Sequence, residues 1–583
     1  MLDPATTLKR WRVAPRIPAG DANLLNAYYH PVMAQVLFNR GQDTPEKAHT
    51  FLHGGDSVLH NPFMMYGMTQ AVARIRHALK HREPIAIYGD FDADGVTSTV
   101  LLTQAIQALG GLVTPYIPNR VDEGYGLNTD ALRWLHQQGV RLVVTVDCGI
   151  RSVDEVAFGN SVGLDMIVTD HHSVGDPLPP ALAVIDPKID TKMRLEEGRD
   201  GGYPEDMLAG VGVAYKLADA LFRAEEQQSR RRLNFKLEDL LDLVALGTVA
   251  DLAPLDRPEN RELVRRGLEI LNRAQRPGIY ELAQVAHVEP GKINTTSIGF
   301  MLAPRINAAG RLGDAMVAYQ LLTQDMPNAG RLAQELQDLN ARRQTLTMEM
   351  VEIARARAVS ETSADTSLIF DAGPEFLPGI VGLVAGRLCE EFYIPAVVIE
   401  KGENESRGSC RSIPEFNITE ALDHCADLLV RHGGHAQAAG FTVRNDNIPI
   451  LRERLTGLAE HALRGQDLRP AIDIDAEIPF DTLTMDLAKS LQQLEPTGAK
   501  NEPPLFLTRR LRVIEARQVG NDGKHLRMRL TNGLGQVDAI GFKLGEWGKR
   551  ALNYIDVVYH LEINEWNGYV KLQLNVQDLR PSE

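Results

Sequence analysis

Apolar and polar positions follow more than one rhythm along this chain. From 84 to about 187, short apolar runs at 84–88, 113–117, 142–146, 164–168 and 181–186 read as strands. Between them, 97–109, 129–138 and 152–158 place apolar residues at helical spacing. Strands alternating with helices predict a doubly wound parallel sheet, so the fold class is α/β. From 208 to about 323 the pattern becomes mostly helical, and 328–359 is a long polar stretch rich in Ala, Arg and Glu. With few core positions, that stretch reads as an exposed helix connecting two domains. A second α/β pattern starts at 366–370 and runs to about 464.

From about 470 the chain is strand-rich. Residues 472–478 alternate, 526–530 lead into a turn at Asn532-Gly533, and 557–563 and 569–574 flank Asn567-Gly568. The last is a two-residue hairpin signal. About five strands in roughly 110 residues fit a small closed barrel of the OB type. The expected organisation is an N-terminal segment (1–50), an α/β domain with a helical extension (51–325) and a connecting helix (326–362). A second α/β domain (363–467) and the barrel (468–583) follow.

The chain's 583 residues exceed what one core organises, and a 44% hydrophobic, 24% charged composition is that of an ordinary soluble protein. No apolar run reaches the roughly 20 residues that a membrane span needs. The first residues lack the charged-then-apolar pattern of a secretory signal. Cys148, Cys389, Cys410 and Cys425 show no C-x-x-C spacing. Neither a zinc ribbon nor a disulfide framework is expected, and the compartment reads as reducing cytoplasm. A net charge of −15 argues against indiscriminate binding of polyanions. It leaves room for a local basic track beside bound cations.

The chemistry gathers where apolar runs break off. Asp90, Asp92 and Asp94 alternate just after the first run, Gly95 frees the backbone to turn, and a helix start follows. Alone, such a segment is often a solvated acidic turn. The apolar strand before it and the helix after it point instead to carboxylates converging on one crevice. Asp147 ends another run, and Asp170-His171-His172 ends a third. Asp251 closes the apolar helix 245–250, where the helix dipole disfavours a carboxylate unless a cation is near. Oxygen-rich donors with one or two histidines suit Mn²⁺ or Mg²⁺ better than structural zinc. The set reads as a two-metal phosphoesterase.

Gly89-Asp-Phe-Asp-Ala-Asp-Gly95, Pro118-Asn-Arg120, Val146-Asp-Cys-Gly149, Asp170-His-His172 and Val249-Ala-Asp251 stand in this order. So arranged, they resemble the DHH phosphoesterase superfamily. Pro304-Arg-Ile-Asn-Ala-Ala-Gly-Arg311, Arg407-Gly-Ser-Cys-Arg-Ser412 and Gly433-Gly-His-Ala-Gln-Ala-Ala-Gly440 narrow the likeness to its RecJ family. Members are bacterial exonucleases that degrade single-stranded DNA from the 5′ end. The resemblance covers about residue 50 to the C-terminus and implies DHH, DHHA1-type and OB-like domains. It implies two divalent cations, Mn²⁺ foremost and Mg²⁺ as the alternative. Asp92 and Asp147 would hold one ion with Asp90 nearby; Asp94, Asp147, His171 and Asp251 would hold the other. Asp147 would bridge them, and His172 would face the scissile phosphate.

By the same resemblance Arg120, Arg305 or Arg311, Ser409 and Arg411 grip the 5′-phosphate or adjacent backbone, and His435 contacts substrate. Guanidinium forks suit phosphate oxygens. Aromatic and basic residues of the barrel, among them Phe506, Arg527, Tyr559, Tyr569 and Lys571, offer stacking and charge to a single strand. The implied context is recombination and repair, with single-strand binding protein and a RecQ-type helicase as partners, no membrane, and a monomeric state. Two departures stand out: the segment 375–382 lacks the family's His, and Cys148 stands where Asn is usual. The alternatives are another DHH phosphoesterase acting on small substrates, or an inactive DHH scaffold in replication.

Overall fold

The run Ile85 to Gly89 is buried without a break and forms the strand β1 (Pro84–Gly89), second from one edge of a five-stranded sheet. The structure, a computed structural model, describes residues 9–120, 123–124, 126–197, 202–228, 234–324, 327–361, 366–550, 552–566 and 568–582. The chain divides into two units. One holds 59–253 and 259–468; the other holds the residues up to Val58, 254–258 and 469–583.

In the first unit, β1 pairs with β2 (Leu112–Tyr116) and β3 (Leu142–Val146), then come β4 (Asp165–Thr169) and β5 (Ala183–Ile185). The order is β2-β1-β3-β4-β5 and every pairing is parallel. Strands covered on both faces need continuous apolar runs, and β3 is buried along its whole length. Helix Ala93–Ala108 packs against helices Gly210–Gln228 and Leu241–Ala250. The last is buried on all sides from Leu241 to Val249, as a helix apolar all round must be.

The long helix Asn328–Glu361 is less exposed than its composition suggests. Ala329, Leu332, Ala333 and Leu336 bury one stripe near its start, and Met350, Ala354 and Ala358 join the core of the second α/β domain. Charged residues fill the other faces, so a narrow stripe at i, i+3, i+4 spacing escapes a composition argument. The second sheet contains β6 (Ile369–Gly373), β7 (Ala396–Glu400), β8 (Glu405–Arg411), β9 (Leu429–His435) and β10 (Ala438–Arg444). Its order is β9-β10-β8-β7-β6; only the β6–β7 pair is parallel. Ser406, Gly408 and Cys410 alternate inward on β8, which turns Ser409 and Arg411 to the other face.

In the second unit, strands Phe506–Val519, His525–Thr531, Gln536–Gly541, Tyr569–Pro581 and Tyr554–Trp566 pair in that order. Pairing of Phe506 with Tyr559 and Leu507 with Val558 closes the barrel. Phe506 and Tyr559 are fully buried core residues, so neither is a stacking platform. The Asn532-Gly533 turn is present, with the Asn532 side chain accepting from the Leu534 and Gly535 amides. Of the second turn, Asn567 lies outside the described residues; positions 566 and 569 are paired in the strand register of the hairpin. The N-terminal segment belongs to this unit. Strand Arg10–Val13 pairs with Ala471–Ile474, and helices Pro31–Asn39 and Pro45–His53 bury Met33, Leu37 and Phe51 in the barrel's core. No helix among the described residues is long and apolar enough to cross a membrane.

Candidate metal centre

The order β2-β1-β3-β4-β5 sends the chain from β1 toward one edge of the sheet and from β3 toward the other. Such a reversal opens a crevice beyond the carboxyl ends of β1 and β3. Asp90 follows β1, Asp147 follows β3, and Asp170-His171-His172 follows β4. Asp92 caps the 93–108 helix, its Oδ1 accepting from the amides of Asp94 (2.9 Å) and Gly95 (3.1 Å). Asp94 sits in the first turn, where the amides of Gly210 and Val211 grip its two oxygens at 2.7 and 2.9 Å. The carboxylate is thus clamped by the N-terminus of the 210–228 helix, which favours negative charge.

Asp147 adopts a left-handed backbone with φ of 60°, a region that Asp enters more readily than most residues. His171 Nε2 lies 3.0 Å from Asp147 Oδ1 and 3.8 Å from Asp94 Oδ2, while its Nδ1 lies 3.8 Å from Asp251 Oδ2. Among the described residues, donor atoms within 4.8 Å of one another form three groups here: Asp90, Asp92 and Asp147; Asp94, His171 and Asp251; and Asp147, Asp170, His171 and His172. The short Asp147–His171 contact joins the groups. Asp170 lies in the same cluster but its oxygens are already occupied. Oδ1 accepts from the His171 and His172 amides and faces His172 Nδ1 at 2.7 Å, and Oδ2 accepts from the Ile150 amide. It shapes the His-His turn, with both oxygens already engaged by the protein. A fourth group, His77, His81 and Glu83, lies on the surface, with Glu83 committed to Arg74.

The electrostatics call for cations. Burial, then the charges of neighbouring aspartates, push Asp90, Asp94 and Asp147 well above the ordinary carboxylate range. Burial and Asp92 raise Asp251 to about 7. Burial, reinforced by His172, lowers His171 to about 3, which keeps its imidazole neutral and ready to ligate. Asp90 Oδ1, Asp147 Oδ1 and His171 Nε2 are buried without a hydrogen-bond partner. Orphaned oxygens among crowded acids fit divalent ions on oxygen-rich ligands. Against its burial, His172 is held up at about 9 by Asp170, and Asp170 is held down at about 2 by His172.

A cluster of arginines adjoins the Asp90–Asp92 end. Arg120 stacks over the Phe91 ring at 4.7 Å and is a charge neighbour of Asp90, Asp92 and Arg411. Burial and the charges of Arg120 and Arg343 lower Arg311 to about 10, and it donates to the Gly379 carbonyl. Arg411 donates to Ser409 Oγ at 3.2 Å. A β-carbon at Gly382 would stand 3.0 Å from Ser409 Oγ, so the first turn of helix Val381–Phe392 faces this pair. Arg305 stands apart, donating to Gln337 Oε1 and the Met301 carbonyl. Of the Arg305–Arg311 alternative, only Arg311 joins the arginine cluster.

Three family models match: DHH family, N-terminal domain over 84–248, DHHA1 domain over 365–461, and RecJ OB domain over 474–578. The single-stranded-DNA-specific exonuclease RecJ of Bacillus subtilis (strain 168) is 39% identical over 558 residues, covering 95% of this chain and 68% of the relative. That of Escherichia coli (strain K12) is 35% identical over 534 residues, covering 88% of this chain and 90% of the relative. The chain belongs to the RecJ family. The crystal structure of RecJ in complex with Mn²⁺ from Thermus thermophilus is also similar. It superposes with a TM-score of 0.83 at 31% identity, covering 98% of this chain and 80% of that one.

The two departures from the RecJ pattern have local readings. Cys148 points into the core and donates to the Tyr88 carbonyl at 3.8 Å, while burial and the charges of Asp170, Asp90 and Asp147 push its thiol well up. Asp147 takes a left-handed backbone and its Oδ1 lies 3.0 Å from His171 Nε2. In the segment lacking His, a β-carbon at Gly379 would collide with the Arg311 carbonyl at 2.3 Å, so the loop serves the arginine cluster through its backbone. His435 is exposed on β9. Burial and the charges of Lys188, His172 and Arg151 hold its imidazole below the ordinary value.

Sequence reasoning missed several contributors. Asn307 Oδ1 accepts from the Ala93 amide at 2.7 Å, tying helix Ala303–Leu312 to the acidic loop. Gly310 lets that helix approach: a β-carbon there would stand 2.4 Å from the Phe91 carbonyl. Both lie inside the 304–311 motif, where the arginines drew attention first. The amides of Gly210 and Val211 carry no side-chain signal at all.

Proposed function

We propose that this chain is a single-stranded-DNA-specific exonuclease that releases 5′-mononucleotides in the 5′→3′ direction by two-metal phosphodiester hydrolysis. It acts in DNA recombination and repair. The observation that carries the reading is the pairing of two donor groups, linked by the Asp147–His171 contact, with the Arg120–Arg311–Ser409–Arg411 pocket alongside. A terminal phosphate held in that pocket sets the first phosphodiester over the acidic crevice, which explains both exonucleolytic action and 5′ polarity. Divalent ions there lower the pKa of a bound water and offset phosphoryl charge. Mn²⁺ is the expected ion and Mg²⁺ the alternative.

Asp90, Asp92 and Asp147 hold one ion and Asp94, Asp147, His171 and Asp251 the other. The Gly210 and Val211 amides keep Asp94 in place. His172, kept protonated by Asp170, presents positive charge to the phosphoryl oxygens. No side-chain nucleophile is needed. Ser409 and Arg411 orient the end of the strand; in the barrel, Arg527, Tyr569 and Lys571 line a cavity and offer charge and a stacking face to single-stranded DNA. The protein works in the cytoplasm as a monomer, with single-strand binding protein and a RecQ-type helicase supplying substrate.

The test is digestion of a long single strand with Mn²⁺, labelled at either end. Release of the 5′ label as mononucleotide, lost in Asp147→Ala, supports the reading. Hydrolysis confined to small phosphoesters would replace it with a small-substrate DHH enzyme. Metal binding and hydrolysis both absent would leave the scaffold.

A further inference from the structure

Two cations outside the RecJ signature motifs grip the same turn that delivers the histidines. Lys188, just beyond β5, donates its ammonium to the carbonyl of His171. Arg151 donates Nε to the carbonyl of Ser173 at 2.9 Å. The turn's backbone is therefore flanked by two positive side chains, each held by a main-chain oxygen. Neither forms an ion pair with a carboxylate among the described residues, whereas Arg133, Arg223 and Arg276 each have one. Among the nearby acids, Asp170 accepts from three backbone amides and faces His172, and Asp251 faces His171; Asp251 and Asp186 are charge neighbours of Lys188 without forming an ion pair with it among the described residues. Burial and the charge of Asp170 drive Asp186 toward its neutral form. A cation fixed by a carbonyl keeps its charge and spare donors for an anion.

These groups surround His435 from the second sheet, whose charge neighbours are Lys188, His172 and Arg151. The second positive cluster therefore lies at the His171–Asp251 end of the acidic row. Arg120, Arg311 and Arg411 lie at the Asp90–Asp92 end. A strand with its 5′-phosphate at the arginine cluster and its first linkage over the acids can leave past the second cluster.

Resting on the exonuclease reading above, we propose that Arg151 and Lys188, with His435, form the subsite for the phosphate one nucleotide downstream of the scissile bond. The ligand is a phosphodiester of the polymer, bound as an anion and not cleaved. The subsite keeps the strand in register while the next nucleotide advances, so it favours oligomers over dinucleotides.

The experiment uses the full-length chain with Mn²⁺ and two 5′-phosphorylated trinucleotides. They are identical except that the second linkage is a phosphate in one and an uncharged methylphosphonate in the other. The wild type is expected to lose about tenfold in kcat/KM on neutralisation, the order of one charge-assisted hydrogen bond. In R151Q/K188Q the two substrates should become nearly equivalent, and R151Q alone, altered at an exposed position, should show an intermediate ratio. The conservative pair R151K/K188R should restore the discrimination. A wild type indifferent to the methylphosphonate overturns the proposal. So does a double variant that keeps the wild-type ratio while losing rate on both substrates, because that marks a purely structural role. A wild type that cleaves neither trinucleotide nor longer strands would sink the exonuclease reading itself and this subsite with it.

Discussion

A β-carbon added to Gly210 would stand 2.6 Å from the β-carbon of Asp147. The same glycine's amide holds Asp94 Oδ2 at 2.7 Å, so one backbone position abuts two of the acids that would hold the ions. Gly210→Ala must move the helix or the Asp147 loop, and either shift loosens the Asp94 clamp. We expect Mn²⁺ affinity to fall by about 10- to 100-fold, as when outer-shell partners are lost. Overpacking should cost about 1–3 kcal/mol of stability. Calorimetric titration with Mn²⁺ and chemical denaturation measure the two effects. Unchanged Mn²⁺ affinity would mean that the helix start does not set the geometry of the acids.

Asp147→Asn separates charge from shape, because Asn adopts the left-handed backbone that position 147 uses. The substitution removes one negative charge from a buried cluster whose members raise one another. Without metal, the variant should melt above the wild type; with saturating Mn²⁺ the order should reverse. Exonuclease activity should fall by more than about a hundredfold, beyond the usual outer-shell effect. Melting curves in chelator and in Mn²⁺ decide it. A variant less stable in both conditions would show that the aspartate cluster carries no stored repulsion.

Much of this was legible from apolar runs ending in acids. Parallel strands, their order of appearance and the residues at their carboxyl ends follow from a short-range pattern, and Asp90, Asp147 and His171 do meet. What was not legible came from the backbone or from long range. Asp94 is gripped by amides 116 and 117 residues away, which no side-chain motif encodes. Arg305 and Arg311 look alike in sequence, yet helix geometry turns one to Gln337 and the other to the Gly379 carbonyl. The N-terminal helices looked uninformative because their partners, such as Phe506 and Leu526, lie more than four hundred residues on.

Asp251 should impose a pH dependence on the metal-free protein. Its carboxyl rises from an ordinary 3.8 to about 7 in the fold through burial and the charge of Asp92. A raised folded value means that the native state binds more protons than the unfolded one. Its contribution is therefore fully present below about pH 4 and is lost as pH rises through about 7. Metal-free protein should melt at progressively lower temperature across that window, and Asp251→Asn should flatten part of the slope. Saturating Mn²⁺ should flatten it as well. Melts in chelator from pH 4 to 8 test this; identical slopes for variant and wild type would exclude Asp251 as a source.

His172 and Asp170 form the complementary case, with Nδ1 and Oδ1 2.7 Å apart. His172 is raised to about 9 because, against burial, Asp170 favours its charged form. That stabilisation is complete below the ordinary 6.5 and is lost as pH rises through about 9. Asp170, lowered to about 2, contributes fully above 3.8 and loses its share as pH falls through about 2. The pair's contribution is therefore greatest between about pH 4 and 6.5 and declines above that, although His172 is still mostly protonated at pH 8. Asp170→Asn should bring His172 back toward 6.5, observable by NMR titration of the metal-free protein. If the imidazolium serves the phosphoryl oxygens, the variant should lose most activity at pH 8 and regain part of it at pH 6. An equal loss at both values would assign Asp170 to geometry alone, through the Ile150, His171 and His172 amides that it anchors.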